Sequence, residues 1–395
     1  MLLRQISLSH YRCFRDSQSI EFGRFTLLYG RNSAGKSALL RLPALLARSM
    51  SGPPGLLVAD AVTNGASFRE LCWRGGRDGE LLGLGLELES GRTWRWELEW
   101  SEGLGEGALR TVEGPRGGQP CAMTWVPKRG AARSDQRTFA TPDGEQVDTI
   151  VSGLVPEKAG FDGLDELRAL GASVQWLGAS RLGPSREGVA LGRRPSAQSA
   201  GGEWAEALVA SDERLRERVS SWYRENAQAE LVISAPENNV RVRLRHVAEA
   251  SPDVPFPDVG EGLQQVFPLL VAVERLREAG GMLCVEEPES HLHPALQRML
   301  AERIIDVLCD NPRAQVVVET HSEVFLYAAL FAAVSQLRGD VAIHWVASGA
   351  DGASLVKLVE LDDNGRPVDQ TLERAFDAMG VLRRDLIAER RAHAG

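Results

Sequence analysis

Long apolar runs, paired cysteines and a secretory leader are all missing from this sequence of 395 residues. No stretch approaches the ~18 consecutive apolar residues that a membrane-spanning helix needs. The first residues lack both the apolar run and the small-residue cleavage site of a signal peptide. The five cysteines are scattered and form no C-x-x-C pair, which argues for reduced thiols and against a disulfide framework or a zinc site. We therefore expect a cytoplasmic protein that does not use a membrane.

Acidic residues outnumber basic ones in this chain. The formal net charge is −9, so the chain lacks the overall basic footprint of a nucleic-acid-binding protein, although a local groove could still be basic. Only four lysines accompany 41 arginines among the 45 basic residues. GC-rich coding explains this bias on solvated surfaces, but lysine and arginine are not equivalent where a compact point charge is needed. One of the four, Lys36, lies in such a place.

That place is a glycine-rich motif between an apolar run, residues 25–29, and a helical pattern that starts at Ala38. Residues 30–37 match G-x-x-x-x-G-K-[ST], the P-loop. Backbone N–H groups and the helix N-terminus of such a loop cradle phosphates, while its lysine reaches the β- and γ-phosphates and its serine holds Mg²⁺. The predicted nucleotide-binding residues are Gly30, Arg31, Asn32, Ser33, Ala34, Gly35, Lys36, Ser37 and Ala38.

Two further apolar strands in the second half of the chain end in polar side chains. Residues 282–285 lead into Glu286, which suits a Mg²⁺ shell, and Glu287, which suits activation of a water molecule; two solvated charges capping a strand are the alternative. Residues 315–319 lead to His321, 34 residues after Glu287. This spacing is that of one βαβ unit, which brings both strand ends to one edge of a parallel sheet.

A glycine pair precedes the acidic strand. Gly260 and Gly262 open a helical pattern, which predicts either a second anion-binding helix N-terminus or a packing turn.

Together, residues 30–37, 260–265, 285–294 and 319–322 resemble an ABC-class P-loop ATPase. The most similar branch is the RecF/Rad50/SMC-like and OLD-like one, also called AAA15 ATPases, and the string E-E-P-E-x-H-L-H-P at 286–294 is its most specific part. Residues 3–14 and 176–181 resemble further segments of this branch. The resemblance covers residues 1–50 and 174–350, about half of the chain.

The resemblance implies an α/β P-loop NTPase fold, an ABC-type ATPase head with an antiparallel β-rich lobe and a helical signature subdomain. It implies ATP and Mg²⁺ as ligands, with Glu286 and Ser37 on the metal. It names Lys36, Glu287 and the switch histidine His321 as catalytic. Gly260, Gly262 and Gln265 belong to a signature segment that completes the ATP site of a second protomer. Residues 290–293 correspond to the D-loop, and Arg181 is expected near the nucleotide. One departure is Val259, which stands where the family has serine, so the contact across the dimer would rest on backbone N–H groups and Gln264 or Gln265.

The segment between the motifs predicts the domain organisation. We expect a discontinuous ATPase core at 1–50 and 174–362, a β-rich lobe at 51–173 and a helical tail at 363–395. Residues 80–89 and 92–100 alternate with period two around a Ser-Gly pair, which predicts an antiparallel hairpin. Its Trp94, Trp96 and Trp100 form either a packed sheet face or a base-stacking platform. No heptads are sustained, so a coiled coil is not expected.

Arginine-rich segments near residues 128–137 and 181–203 could line a basic channel or could be solvated loops.

The sequence predicts a dimerising ATPase that switches a protein effector or a DNA transaction of the phage-defence or repair type. An ATP-liganded DNA- or protein-binding clamp with little turnover is the alternative. A transporter ATPase subunit is disfavoured because the helical coupling region is missing. His291 and His293 beside Glu289 could suggest a metal site, but the D-loop assignment accounts for them better.

Overall fold

The structure is a computed structural model that describes residues 2–56, 60–74, 80–101, 106–127, 136–186, 189–190, 201–202, 204–235, 239–248, 252–337, 340–360, 362 and 368. Apart from residue 368, the predicted helical tail at 363–395 lies outside these residues. Within them the fold is α/β, as the sequence predicts.

A mostly parallel sheet forms the centre of the molecule. Its strand order is β11 (Val174–Leu177), β16 (Gly281–Glu286), β17 (Ala314–Glu319), β3 (Phe25–Gly30), β18 (Val341–Ser348) and β19 (Ser354–Leu358). Neighbours are parallel except β18 and β19. Because β3 lies between β17 and β18, the strand that precedes the P-loop motif shares one sheet with strands from the C-terminal part of the chain.

The apolar side chains of this sheet enter two separate cores. On β16, Leu283 and Val285 pack in one cluster, whereas Met282 and Cys284 pack in the other. β17 is buried along its whole length as well. A strand covered on both faces needs an uninterrupted apolar run, which explains why these strands do not alternate in polarity.

A long antiparallel sheet and two helices cover one face. Its order is β10 (Val155–Pro156), β9 (Gln146–Ser152), β8 (Gln136–Ala140), β7 (Gln119–Trp125), β6 (Glu106–Arg116), β5 (Thr93–Ser101), β4 (Leu82–Leu88), β1 (Leu3–Ser9) and β2 (Gln18–Glu21). The helices are α1 (Lys36–Arg48) and α3 (Leu164–Ser173), and the short α2 (Phe68–Leu71) packs against β6. The predicted hairpin is present as β4 and β5, and the sheet continues without a break into β1 and β2.

The other face carries the remaining helices. These are α4 (Ala205–Ser211), α5 (Glu213–Ala227), α6 (Glu261–Ala279), α7 (Pro294–Asp310) and α8 (Glu323–Leu337). Beside α4 and α5 lies a small sheet in the order β12 (Val189–Ala190), β14 (Asn239–His246) and β13 (Ala229–Ser234), with β15 (Asp253–Pro255) also on β14, followed by a 3₁₀ turn at Phe256–Asp258. The Asp212 side chain caps α5 by accepting from the Leu215 N–H at 2.9 Å, as a helix N-cap does.

All five cysteines are unpaired in the structure. In the part of the chain that the structure describes, no helix is both long and apolar enough to cross a membrane.

Candidate active site

The P-loop connects β3 to α1, as its flanking sequence predicts. Gly35 precedes the helix with φ of 100°, a left-handed conformation that favours glycine. A Cβ at this position would lie 2.5 Å from the Cys13 sulfur and 2.9 Å from the Phe14 ring. The loop can therefore take this tight path only with glycine at position 35, and its backbone is shaped to approach a phosphate closely.

Lys36 is held inside the loop. Its Nζ donates to the carbonyl oxygens of Gly30 at 3.0 Å and Arg31 at 2.8 Å. Burial lowers the pKa of Lys36, while the charges of Glu319 and Glu287 act in the opposite direction. The ammonium group is thus positioned at the loop in reach of both the P-loop backbone and the acidic strand ends.

Glu287 lies just beyond β16, with its side chain 41% exposed. Its backbone takes a left-handed φ of 41°, and its N–H donates to the Glu319 carbonyl at 2.8 Å. The carboxylate accepts a hydrogen bond from the Ser290 hydroxyl at 3.1 Å and lies 3.9 Å from His321 Nε2. The structure therefore brings together Glu287 and His321, the two residues that the sequence places after neighbouring strands.

Glu289 fixes the loop that carries His321. One oxygen of this buried carboxylate accepts from the backbone N–H of His321 at 2.8 Å and of Ser322 at 3.1 Å. Partial burial lowers the pKa of His321, and the charge of Lys36 lowers it further. These effects favour the neutral imidazole, which can accept a hydrogen bond, while the charges of Glu287 and Glu289 act in the opposite direction.

Glu286 does not point to open solvent. Both of its oxygens accept from the Arg41 guanidinium, one in a short contact with Nε and the other from Nη2 at 2.8 Å. Trp176 Nε1 donates to the same carboxylate at 3.1 Å, and the Arg41 guanidinium lies 4.9 Å from the Trp176 ring centroid. The charge of Glu286 is therefore balanced within the fold, and its assignment to Mg²⁺ stays a prediction.

Glu319 occupies the place beside the P-loop serine. The Ser37 hydroxyl donates to its Oε1 at 2.9 Å, and Glu319 is paired with Glu286 in the register of β16 and β17. Burial raises the pKa of Glu319 to about 7, against the effect of the hydrogen bond from Ser37. No role beyond its place at the end of a strand was predicted for this residue.

Arg181 lies behind the strand ends, 3% exposed. It donates to the carbonyl oxygens of Glu286 at 2.7 Å and Glu287 at 3.0 Å, and also to those of Gly178 at 3.0 Å and Gln265 at 3.1 Å. Burial lowers its pKa to about 10. This one side chain therefore ties the acidic strand to the first turns of α6.

The predicted signature segment lies at the N-terminus of α6, with Gly260 at the cap position. Gln265 Nε2 donates to Glu261 at 3.0 Å, so this side chain lies along its own helix. A Cβ on Gly262 would lie 2.4 Å from the His291 carbonyl oxygen. The start of α6 and the loop after β16 are therefore in close contact within one chain.

Other predicted features lie away from this edge. Trp94 and Trp96 are buried and stack with ring centroids 6.3 Å apart, which confirms the packed sheet face for these two rings. Arg137 is buried beside the Trp125 ring, and Arg186 pairs with Asp258. The remaining arginine-rich positions, Lys128, Arg129, Arg133, Arg193 and Arg194, lie outside the described residues.

The two histidines of the predicted D-loop contact the first turns of α7 and α6. His293 Nδ1 accepts from the Ala295 N–H at 3.3 Å at the start of α7, and His291 lies 3.5 Å from Glu261. Among the described residues, no group of three or more His, Cys, Asp or Glu side chains is arranged to hold a metal ion.

Comparisons with known proteins find similarity over part of this chain. Residues 193–326 match the AAA_21 family, described as "AAA domain, putative AbiEii toxin, Type IV TA system". A 107-residue segment is 32% identical to an OLD nuclease from Thermus scotoductus, and covers 27% of this chain and 20% of that protein. The chain thus matches about a fifth of the length of this relative.

The fold is similar to that of SMC heads. An SMC head bound to the C-terminal winged-helix domain of ScpA aligns with a TM-score of 0.50 at 14% identity, over 91% of this chain and 99% of that chain. The matched domain and the fold together support an ABC-class P-loop ATPase of the RecF, Rad50, SMC and OLD type. A Pyrococcus furiosus SMC head with an extended coiled coil, bound to a ScpA domain, aligns with a TM-score of 0.48 at 13% identity, over 96% of this chain and 99% of that chain.

An ABC-class ATPase uses a nucleotide and usually Mg²⁺, and the residues present fit both. The P-loop supplies Lys36 and the α1 N-terminus for phosphates. Ser37 supplies a hydroxyl oxygen, and Glu319 supplies a buried carboxylate whose Oε2 has no hydrogen-bond partner among the described residues. Mg²⁺ sites in nucleotide enzymes typically combine one or two carboxylates with phosphate oxygens and water, so a larger acidic cluster is not required.

Sequence reasoning assigned no role in this candidate site to Arg41 or Glu319, and it considered Glu289 only as part of a metal site that it disfavoured. Arg41 lies in a helix 245 residues before its partner Glu286, and no local pattern reports such a pair. Glu319 did carry a signal, because Val318-Glu319 repeats the Val285-Glu286 ending of the neighbouring strand.

Proposed function

We propose that this ATPase binds Mg²⁺–ATP at the P-loop and hydrolyses it to ADP and phosphate. The observation that carries the proposal is the convergence of Lys36, Glu287 and His321 at one edge of the parallel sheet. These residues provide a partly exposed carboxylate, an imidazole and a P-loop lysine. This is the combination of groups that a phosphoryl-transfer site needs.

Each residue has a distinct part in the proposed reaction. Glu287 orients a water molecule and accepts its proton as the water oxygen attacks the γ-phosphorus; the bond to the β–γ bridging oxygen breaks, and ADP leaves. Lys36 and the α1 N-terminus hold the β- and γ-phosphate oxygens. His321 contacts the γ-phosphate. Ser37 and a carboxylate at a strand end would hold Mg²⁺, which would help to neutralise the negative charge that develops on the phosphoryl group.

The proposed active form is a head-to-tail dimer closed by ATP. Gly260 and Glu261, at the N-terminus of α6, are exposed, and the first N–H groups of a helix lack partners within that helix. Gly260, Gly262 and Gln265 of one protomer would contact the γ-phosphate held by the other. The dimer would open after hydrolysis, which makes the nucleotide a switch.

A protein effector is the proposed target of the switch. Helix α8 begins two residues after His321 and exposes Val324, Tyr327 and Phe331, the last at 76%. With Arg298 and Glu302 of α7, these residues and His321 line a groove of about 860 Å³. If His321 moves when the γ-phosphate is lost, this groove would change shape, because His321 is one of its lining residues. We place the switch in the cytoplasm, in a process of the phage-defence or repair type.

A clamp with little turnover is the second candidate. Val259 packs against the apolar core at the position where the signature serine is expected, so no side-chain hydroxyl is available to the second protomer there. In this case ATP would serve to hold the dimer on DNA or on a protein. The exposed Arg241 and Arg245 on β14 support a DNA partner.

Glu287→Gln tests the proposal. The isosteric amide cannot accept the proton of water, so phosphate release should fall by about 10²–10⁴-fold, while ATP affinity is retained and an ATP-dependent dimer accumulates in sedimentation. Wild type should be measured with and without double-stranded DNA. If wild type releases phosphate as slowly as Glu287→Gln and forms a stable ATP-bound dimer, the clamp is favoured. If both proteins release phosphate rapidly and at the same rate, Glu287 is not the base.

A further inference from the structure

Two adjacent carboxylates end the neighbouring strands β16 and β17, and among the described residues only Glu286 forms an ion pair with a cationic side chain. Glu286 accepts from Arg41 through both oxygens and from Trp176. Glu319, its register partner, accepts from the Ser37 hydroxyl through Oε1 and from no other side chain that the structure describes. The two residues therefore differ sharply in what they can offer to a metal ion.

The unpaired oxygen of Glu319 is costly unless a ligand uses it. Glu319 is 4% exposed, and its Oε2 has no hydrogen-bond partner among the described residues. A buried carboxylate without a compensating charge or hydrogen bond is strongly unfavourable. A cation beside Ser37 would satisfy this oxygen, and the P-loop serine is the residue that places Mg²⁺ there in P-loop enzymes.

The ion pair with Arg41 makes the carboxylate of Glu286 less available to bind the same metal ion. A guanidinium held against both oxygens in a bidentate arrangement is among the stronger charged contacts in proteins. Direct ligation by Glu286 would require breaking this contact and leaving Arg41, which is itself largely buried, without its partner.

We propose that Glu319 and Ser37 supply the protein oxygen ligands for Mg²⁺, and that Glu286 is a positioning residue held by Arg41. This inference rests on the proposed binding of Mg²⁺–ATP. It changes the metal assignment made from sequence, in which Glu286 shared the ion with Ser37.

Metal binding can be measured without turnover. Mn²⁺ is titrated into the protein with a non-hydrolysable ATP analogue, and free Mn²⁺ is followed by electron paramagnetic resonance. Glu319→Gln should weaken Mn²⁺ binding by about 10–100-fold, a loss typical of disturbed metal sites, while Glu286→Gln should change it by less than threefold. Glu278→Gln, an exposed carboxylate of α6, is the surface control and should leave Mn²⁺ affinity unchanged.

A second variant guards against a folding defect. Glu319→Asp keeps the charge but shortens the side chain by one methylene, so its Mn²⁺ affinity should fall between those of wild type and Glu319→Gln. Thermal melting and analogue binding in EDTA report whether each variant is folded with an intact P-loop.

Each outcome decides between clear alternatives. Wild-type Mn²⁺ affinity in Glu319→Gln, a loss in Glu286→Gln as large as that in Glu319→Gln, or an aspartate variant as weak as the glutamine one would overturn the inference. Failure of the wild type to bind the analogue at all would instead overturn the proposed function.

Discussion

Removal of the Arg181 guanidinium should destabilise the protein more than removal of any exposed arginine. This side chain donates four hydrogen bonds to carbonyl oxygens, at 2.7–3.1 Å, from a site that is 3% exposed. Hydrogen bonds that involve a charged group contribute about 1.5–3 kcal/mol each, which gives a gross stabilisation of about 6–12 kcal/mol for four.

Burial of the charge offsets part of this stabilisation. The pKa of Arg181 falls from 12.5 to about 10, which corresponds to a cost of about 3 kcal/mol at 1.36 kcal/mol per pH unit. Because water can enter the space left by a truncated side chain and solvate the carbonyls, we expect Arg181→Ala to lose about 3–5 kcal/mol, the range for a broken buried charge contact. Arg181→Lys should lose less, since an ammonium can keep some but not all four contacts.

Urea unfolding followed by tryptophan fluorescence and circular dichroism measures the effect. Arg186→Ala is the control, because Arg186 and its partner Asp258 are exposed and such pairs contribute about 0–1 kcal/mol. A loss below about 1 kcal/mol for Arg181→Ala, or one equal to that of the control, would refute the account of Arg181 as the tie between β16 and α6.

Two further predictions concern α4 and α6. Burial raises the pKa of Glu206 to about 7 from 4.5, so the folded state binds more protons than the unfolded state between these values and its stability falls as pH rises. Glu206→Gln should therefore gain stability over wild type from pH 4.5 to pH 7, by up to about 3 kcal/mol; parallel pH profiles in thermal melts would contradict this. Gly262→Ala should lower the free energy of unfolding by about 1–3 kcal/mol, because its Cβ would lie 2.4 Å from the His291 carbonyl oxygen. Gly260→Ala is the control and should leave the urea midpoint nearly unchanged, because the space around Gly260 is open. Equal urea midpoints for the two variants would show that the contact at Gly262 is not tight.

The strands around the site could be predicted from sequence because their signals are local. The apolar runs at 282–285 and 315–318 are β16 and β17, and the P-loop joins β3 to α1 as the motif requires. The predicted neighbourhood of Glu287 and His321 followed from the length of the βαβ unit, and these side chains lie 3.9 Å apart.

Pairings over long sequence distances could not be predicted in the same way. The union of β1 with β4 extends the sheet of the lobe into the N-terminal residues, because antiparallel register depends on which edges meet and not on the alternation of one strand. The contact of Arg41 with Glu286 and that of Ser37 with Glu319 depend likewise on strand order in the folded sheet.

The most direct test of the central claim is phosphate release by wild type and Glu287→Gln at equal amounts of bound ATP. Equal occupancy removes any difference in affinity, so the ratio of rates reports the chemical step alone. The account predicts measurable Mg²⁺-dependent release by the wild type and a rate lower by about 10²–10⁴-fold in the variant. Equal rates for the two proteins, or no release from ATP-saturated wild type, would contradict it.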